Sequence, residues 1–225
     1  MCGRYAHSRT PDQLLIDFGA QRGEYFHDVG PDWNMAPSKR APIIVGRHVE
    51  GHLVRELDTA TWGLVPPWAK DPSIGSRLIN ARIETVTQKP SFRAAFATRR
   101  AIVVADGYYE WEATSAGPKQ PWFLSQATTL ALAGLYEWWK KPDDSWLLSF
   151  TILTTAAEGE DGRIHDRAPL LVPAELRDDW LAPSPAADLL VELEPATPGR
   201  LAAWPVGRDV GNVRNNGPEL IAAVE

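Results

Sequence analysis

Ala101-Ile102-Val103-Val104-Ala105, running straight into Asp106-Gly107-Tyr108-Tyr109-Glu110-Trp111, is the stretch that decides the fold. Five consecutive apolar residues rich in β-branched side chains read as a strand buried on both faces. The segment after them stays extended and sets one carboxylate between bulky aromatics. Working outward, Ile43-Ile44-Val45, the region from Leu53 to Trp62, Trp122 to Leu124, Thr129 to Leu135 and Trp146 to Thr154 read as further strands. Helices are few. Thr10-Pro11-Asp12 supplies an N-cap, a first-turn proline and an acid at the positive end of a helix dipole; Leu14, Leu15 and Phe18 give its apolar face, and Gly19 ends it. Ser91 to Thr98 reads as a short helix, and Ala174 to Leu181 and Ala186 to Leu193 as amphipathic ones. Trp33 to Pro42, the Pro-rich Gly63 to Asn80, Glu158 to Arg167 and the tail read as loops. Many short strands without βαβ alternation predict an α+β fold with a barrel-like sheet core and flanking helices. No linker divides the chain, so one domain over residues 1–225 is expected.

Composition narrows the function classes. The 225 residues are 44% hydrophobic and 23% charged, a globular balance. No apolar run approaches the ~18 residues of a membrane helix, and the N-terminus lacks a signal peptide's apolar core. One cysteine excludes an intrachain disulfide, so a cytoplasmic protein without membrane attachment is expected. The net charge of −6 is uneven. Residues 1–120 carry 15 Lys and Arg against 13 Asp and Glu, and residues 121–225 carry 8 against 16. Phosphate binding needs a local basic patch, so the overall charge decides nothing about nucleic acid.

Cys2, the only cysteine, follows the initiator methionine. Removal of Met1 would make it a 1,2-aminothiol, whose amine can add to an aldehyde and whose thiol can then close a thiazolidine ring. With a pKa of about 7.7–8.0 against ~10.4 for lysine, the α-amine has roughly 300-fold more free base at neutral pH. By position alone, an incidental cysteine in a frayed terminus is the plainer reading. In an extended segment Glu110 faces away from Tyr109 and Trp111; partial desolvation there would raise its pKa toward a working acid–base range. An ordinary strand glutamate is the alternative. His165, in Ile164-His165-Asp166-Arg167-Ala168-Pro169, can pass protons near neutrality, or be a surface histidine. Asn80 and Arg82, at i and i+2, point to one face and suit a sugar oxygen or a phosphate, or else clamp the loop. Ten of the 21 aromatics are Trp, and exposed ones beside arginines can stack unpaired bases. His48 and His52 flank a probable turn, with no HExxH and no cysteine pair, so no metal site is expected.

Several further segments stand in a fixed order: Met1-Cys2-Gly3-Arg4-Tyr5, Trp33-Asn34-Met35-Ala36-Pro37-Ser38, Trp62-Gly63-Leu64-Val65-Pro66 and Ile79-Asn80-Ala81-Arg82-Ile83-Glu84-Thr85. They are followed by the Glu110 and His165 motifs, then Trp204-Pro205-Val206 and Val210-Gly211-Asn212-Val213. This series resembles the SOS-response-associated peptidase (SRAP) family of abasic-site crosslinking proteins. The resemblance implies single-stranded DNA containing abasic sites as partner, including 3′-end or junction structures, with no cofactor. It implies a thiazolidine crosslink through Cys2, with Asn80 and Arg82 holding the sugar and nearby phosphate. Glu110 would transfer protons in ring opening and crosslink reversal, and His165 would assist Schiff-base formation. Arg4 and Arg167 would contact phosphates, and Pro37, Trp68 and Trp111 would line the strand path. A monomer is expected, nucleoid-associated when it acts. The family name carries a second expectation, a cysteine peptidase using Cys2 and His165 with Met1 as its simplest target. A third is a non-covalent reader of damaged strands.

Overall fold

Strand β7 (Arg100–Glu112) is the spine of the computed structural model, which describes residues 2–115, 117–183, 187–193 and 201–224. Ala101, Val103 and Ala105 point to one apolar cluster, and Ile102 and Val104 to another. Burial on both faces explains the unbroken apolar run. On one side β7 pairs with β4 (Arg40–Val49), Ile43 opposite Val103, and β4 pairs with β5 (His52–Trp62). On its other side β7 pairs with β8 (Gln120–Lys140), which pairs with β9 (Trp146–Ala156). A short parallel contact, Thr61 to Ser149 and Trp62 to Phe150, joins β5 to β9 and closes a five-stranded ring. The α+β, barrel-like reading of the sequence is therefore the architecture seen.

The interior of the ring is filled by Ile43, Val45, Val103, Leu130, Leu132, Phe150 and Ile152, all fully buried. Its outer wall, with Ile44, Leu57, Ile102, Val104 and Leu153, is covered by helices. These include α1 (Pro11–Phe18), then α2 (Ile83–Val86), α3 (Arg93–Thr98), and, after α4 (Gly159–Ile164), α5 (Arg177–Leu181) and α6 (Ala187–Leu193). Helix α1 follows its sequence signals closely. Thr10 and Gln13 form a reciprocal capping box, and Gly19 closes the last turn in the left-handed region at φ 56°. Among the described residues no helix is long and apolar enough to cross a membrane.

Six short strands complete the sheet: β1 (Tyr5–His7), β2 (Gln21–Arg22), β3 (Asp32–Met35), β6 (Asn80–Arg82), β10 (Arg167–Pro169) and β11 (Ala202–Pro205). Strand β1 lies between β7 and β3, while β6 and β10 both pair with β9.

Several local expectations need correction. The strands expected at Trp122–Leu124 and Thr129–Leu135 are one 21-residue strand, because β7 offers a partner along both of its halves and β9 takes over beyond. Glu158–Arg167 contains helix α4 rather than pure loop. Trp33–Met35 is strand, held by β1, and Ala202–Pro205 is strand, recruited by β8. Pro72–Arg77 forms a 3₁₀ helix inside the long loop. Ala186, the expected start of the last helix, lies outside the described residues.

Candidate functional site

β1 carries the N-terminus into the molecule. Tyr5 pairs with Tyr108 on one side and Met35 on the other, and its ring lies 5.1 Å from that of Trp62. Cys2 is fully buried among this cluster. Asn80 Nδ2 donates to the Cys2 carbonyl at 2.8 Å, so β6 fixes the backbone of the cysteine. β6 is itself hooked in place, since Trp62 Nε1 donates to the Ile79 carbonyl at 2.9 Å. Burial, reinforced by the Glu110 carboxylate, pushes the Cys2 thiol well above its ordinary pKa.

Glu110 lies in β7 just beyond an irregularity between Ala105 and Gly107. A Cβ at Gly107 would stand 2.4 Å from the Phe123 ring and 2.6 Å from the Leu124 carbonyl, so only glycine permits this close approach. Beyond it, Tyr109 joins Phe123, Val206 and Val210 in one cluster, with Trp111 against it. Glu110 is turned the other way by strand alternation and is 4% exposed. Burial lifts its carboxyl to about 7; the positive amino terminus opposes the rise most, Asp166 adds to it and Lys119 opposes it less. A carboxyl at that value exchanges a proton readily near neutral pH.

His165 follows α4. Its Nδ1 accepts from the Arg167 backbone N–H at 3.0 Å and lies 2.9 Å from Asp166 Oδ1. Burial holds the imidazole below its ordinary pKa, which favours the neutral ring. In that form the Arg167 hydrogen bond assigns the proton to Nε2, whereas the imidazolium would donate from Nδ1 to Asp166. Lys119 acts on the pKa of both His165 and Glu110, which puts the three within electrostatic reach.

The remaining candidates divide. Arg82 is exposed at the end of β6, Trp68 is 55% exposed in the long loop, and Pro37 is half-buried. Trp111 lies beneath Arg4, with the guanidinium 5.8 Å from its ring centroid. The arginines at positions 4 and 167 are engaged inside the protein. Arg4 Nη1 donates to Asn34 Oδ1 at 2.7 Å and to the Val210 carbonyl at 2.9 Å. Asn34 in turn donates to the carbonyls of Asn212 and Asn215 at 3.0 and 2.9 Å. Arg167 is buried and forms a two-pronged ion pair with Glu84, and its Nη2 also reaches the Thr154 carbonyl at 2.6 Å. It therefore braces the His165 loop against β9 and α2.

Asn34, Trp62, Glu84, Lys119 and Trp122 were not singled out in the sequence as site residues. Asn34, Trp62 and Glu84 do lie within quoted motifs, and that was the available signal.

The chain is similar to several known proteins. The model of the family described as SOS response associated peptidase (SRAP) matches residues 1–213. The abasic site processing protein YoqW of Bacillus subtilis is 37% identical, with 98% of this chain and 99% of that protein covered. YedK of Escherichia coli, also named an abasic site processing protein, is 32% identical over the whole of both chains. A crystal structure of a Bacteroides thetaiotaomicron protein superposes with a TM-score of 0.84 at 23% identity, covering 100% of both chains. One from Bordetella bronchiseptica gives 0.73 at 27%, covering 92% of this chain and 100% of the other. On the family match and these identities over full length, the chain belongs to the SOS response associated peptidase (SRAP) family.

Proposed function

We propose that this protein processes abasic sites in single-stranded DNA by forming a thiazolidine crosslink through Cys2 after Met1 is removed. The observation that carries the reading is a fully buried Cys2, one residue from the initiator methionine, whose carbonyl Asn80 holds at 2.8 Å and on which the buried Glu110 carboxyl acts. The names of the relatives give the substrate class, abasic DNA.

The chemistry follows from the groups present. Ring opening of the abasic sugar exposes an aldehyde. The Cys2 amine attacks its carbon, and the carbinolamine loses water to give an iminium. The thiol sulfur then adds to the same carbon. One C–N and one C–S bond form there, the aldehyde oxygen leaves as water, and the amine and thiol supply its two hydrogens. Glu110, poised near neutrality, delivers a proton to the departing oxygen, and its carboxylate then stabilises the iminium charge. His165 carries protons between the sugar and solvent from Nε2. Asn80 holds the Cys2 carbonyl, so the aminothiol is presented in one orientation. Arg82 and Trp68, both exposed, suit a phosphate and a base of the flanking strand. A phosphate at Arg167 would have to compete with Glu84, and one at Arg4 with Asn34 and the Val210 carbonyl.

The test is intact mass after mixing the protein with an oligonucleotide carrying one abasic site. A mass equal to protein plus oligonucleotide minus water is expected from chains that begin at Cys2. Undamaged DNA, Cys2→Ala and chains retaining Met1 should give none. Absence of adduct from chains verified to begin at Cys2 would overturn the reading.

A further inference from the structure

Beside Glu110 stands a group of side chains that the chemistry above does not use. Trp122 is the direct cross-strand neighbour of Glu110 on β8. Its indole Nε1 donates to Glu112 Oε2 at 2.9 Å, and Glu112 follows Glu110 at i+2 on the same face of β7. Arg163, in the last turn of α4, pairs through Nη1 with the other oxygen of Glu112. Its guanidinium lies 4.6 Å from the centroid of the Trp122 ring. One arginine thus grips β7, the strand that carries Glu110, through an ion pair, and its neighbour β8 through a cation–π contact. It stands two residues before His165.

We infer that Arg163 is a positioning residue: by clamping the end of α4 onto Glu112 and Trp122, it sets where His165 stands relative to Glu110. Other ties reach the same loop from its far side, the Arg167–Glu84 pair and the Arg167 N–H on His165 Nδ1. Those fix the loop to β9 and α2 but not to β7. The Glu112–Arg163–Trp122 contact is a lateral tie to the strand bearing the acid. Proton transfers to and from one sugar by an acid and a base held on separate elements depend steeply on where each stands, so a slack tie costs rate rather than binding. The inference rests on the proposed crosslinking chemistry for its kinetic arm only.

The experiment uses full-length mature protein, Arg163→Met, Arg163→Lys and Glu112→Gln. Arg163 is partly exposed, so its replacement leaves the core intact. The first readout is the NMR pH titration of the His165 imidazole in free protein. None of the variants removes Asp166 or Lys119, whose charges act on that ring, and all share the parent's amino terminus. Loosening the loop should solvate the ring, so its pKa should rise toward the ordinary value in Arg163→Met and Glu112→Gln. The second readout is the single-turnover rate of adduct formation on an abasic oligonucleotide, set against the affinity for the undamaged one. Arg163→Met should slow the adduct about tenfold with affinity unchanged. Arg163→Lys, which keeps the charge but lacks the planar fork, should recover part of the rate and part of the titration shift. A His165 titration identical in parent and Arg163→Met would overturn the inference, whatever the rate does. If the parent forms no adduct, the functional reading fails, and the titration still decides the positioning role.

Discussion

Strand β7 contains two regions set apart by the irregularity at Ala105 and Gly107. Before it, Ala101 to Ala105 are buried on both faces, inward to the barrel and outward to the helices. Nothing there can ionise, and the strand is pure wall. After it, the same strand runs from Gly107 to Glu112, anchors Tyr109 in a separate cluster, and turns one carboxyl toward Cys2. The first region stabilises the molecule by removing apolar surface from water. The second holds a buried acid that burial itself makes costly to ionise. Wall and chemistry share a backbone but draw on opposite physics, so they should fail separately.

The largest expected effect would sharpen that contrast. Cys2→Ala should eliminate the adduct while leaving the melting temperature close to that of the parent, since a small buried side chain is replaced by one nearly as small; mass spectrometry and thermal melting check the two halves. Next, Glu110→Gln should slow adduct formation by about 10²–10⁴-fold, the range typical of a positioned acid–base group, as quenched time courses would show. Third, Leu132→Ala, in the barrel interior, should destabilise the fold by about 2–5 kcal/mol by denaturant titration. Per folded molecule its crosslinking rate should stay as it was. A rate that fell with stability would break the separation.

A smaller effect concerns pH. The folded pKa of Glu110, about 7, lies above its value in the unfolded chain. The folded state therefore binds more protons than the unfolded one between the ordinary carboxylate range and pH 7. Stability is greatest below that range and falls as pH rises through about 7. Glu110→Gln should abolish this fall. Melting curves at pH 5 should nearly coincide with the parent's, while at pH 8 the variant should be more stable by on the order of 1–3 kcal/mol. Curves that differ equally at both pH values would show that burial is not what raises the acid. The smallest effect is expected at the surface. Trp68→Ala should weaken binding of an undamaged single strand by about 1–3 kcal/mol if one base stacks there, by fluorescence anisotropy.

The wall was easier to read in the sequence than the site. Residues 101–105 show a continuous apolar run because both faces are covered, and α1 carries its own start and stop residues. β8 misled because Gln126 to Thr128 are exposed and look like a turn, although pairing with β7 resumes on either side of them. β11 has no period of its own and exists because β8 leaves an edge to pair with. At the site, the alternation around Glu110 was legible from strand geometry alone. The internal partners of the arginines were not. A guanidinium looks the same in sequence whether it meets a phosphate or a carbonyl, and the Val210 partner of Arg4 lies 206 positions away. Arg163 gave no signal either, because its partners come from two strands that the chain brings together only in three dimensions.

The bond between Arg4 and the Val210 carbonyl also has a consequence for the order of events on the ribosome. The amino end cannot be fully docked until residue 210 has left the exit tunnel, and β1 cannot take its place between β3 and β7 until β7 exists. For most of its synthesis the chain therefore trails an undocked amino end within reach of the enzyme that trims methionine. Once synthesis ends, Cys2 is withdrawn into the interior. Trimming is expected to be early or poor: methionine-retaining protein, folded first and then offered purified aminopeptidase, should be cut far more slowly than nascent chains stalled before residue 210. Equal rates would show that docking does not restrict access.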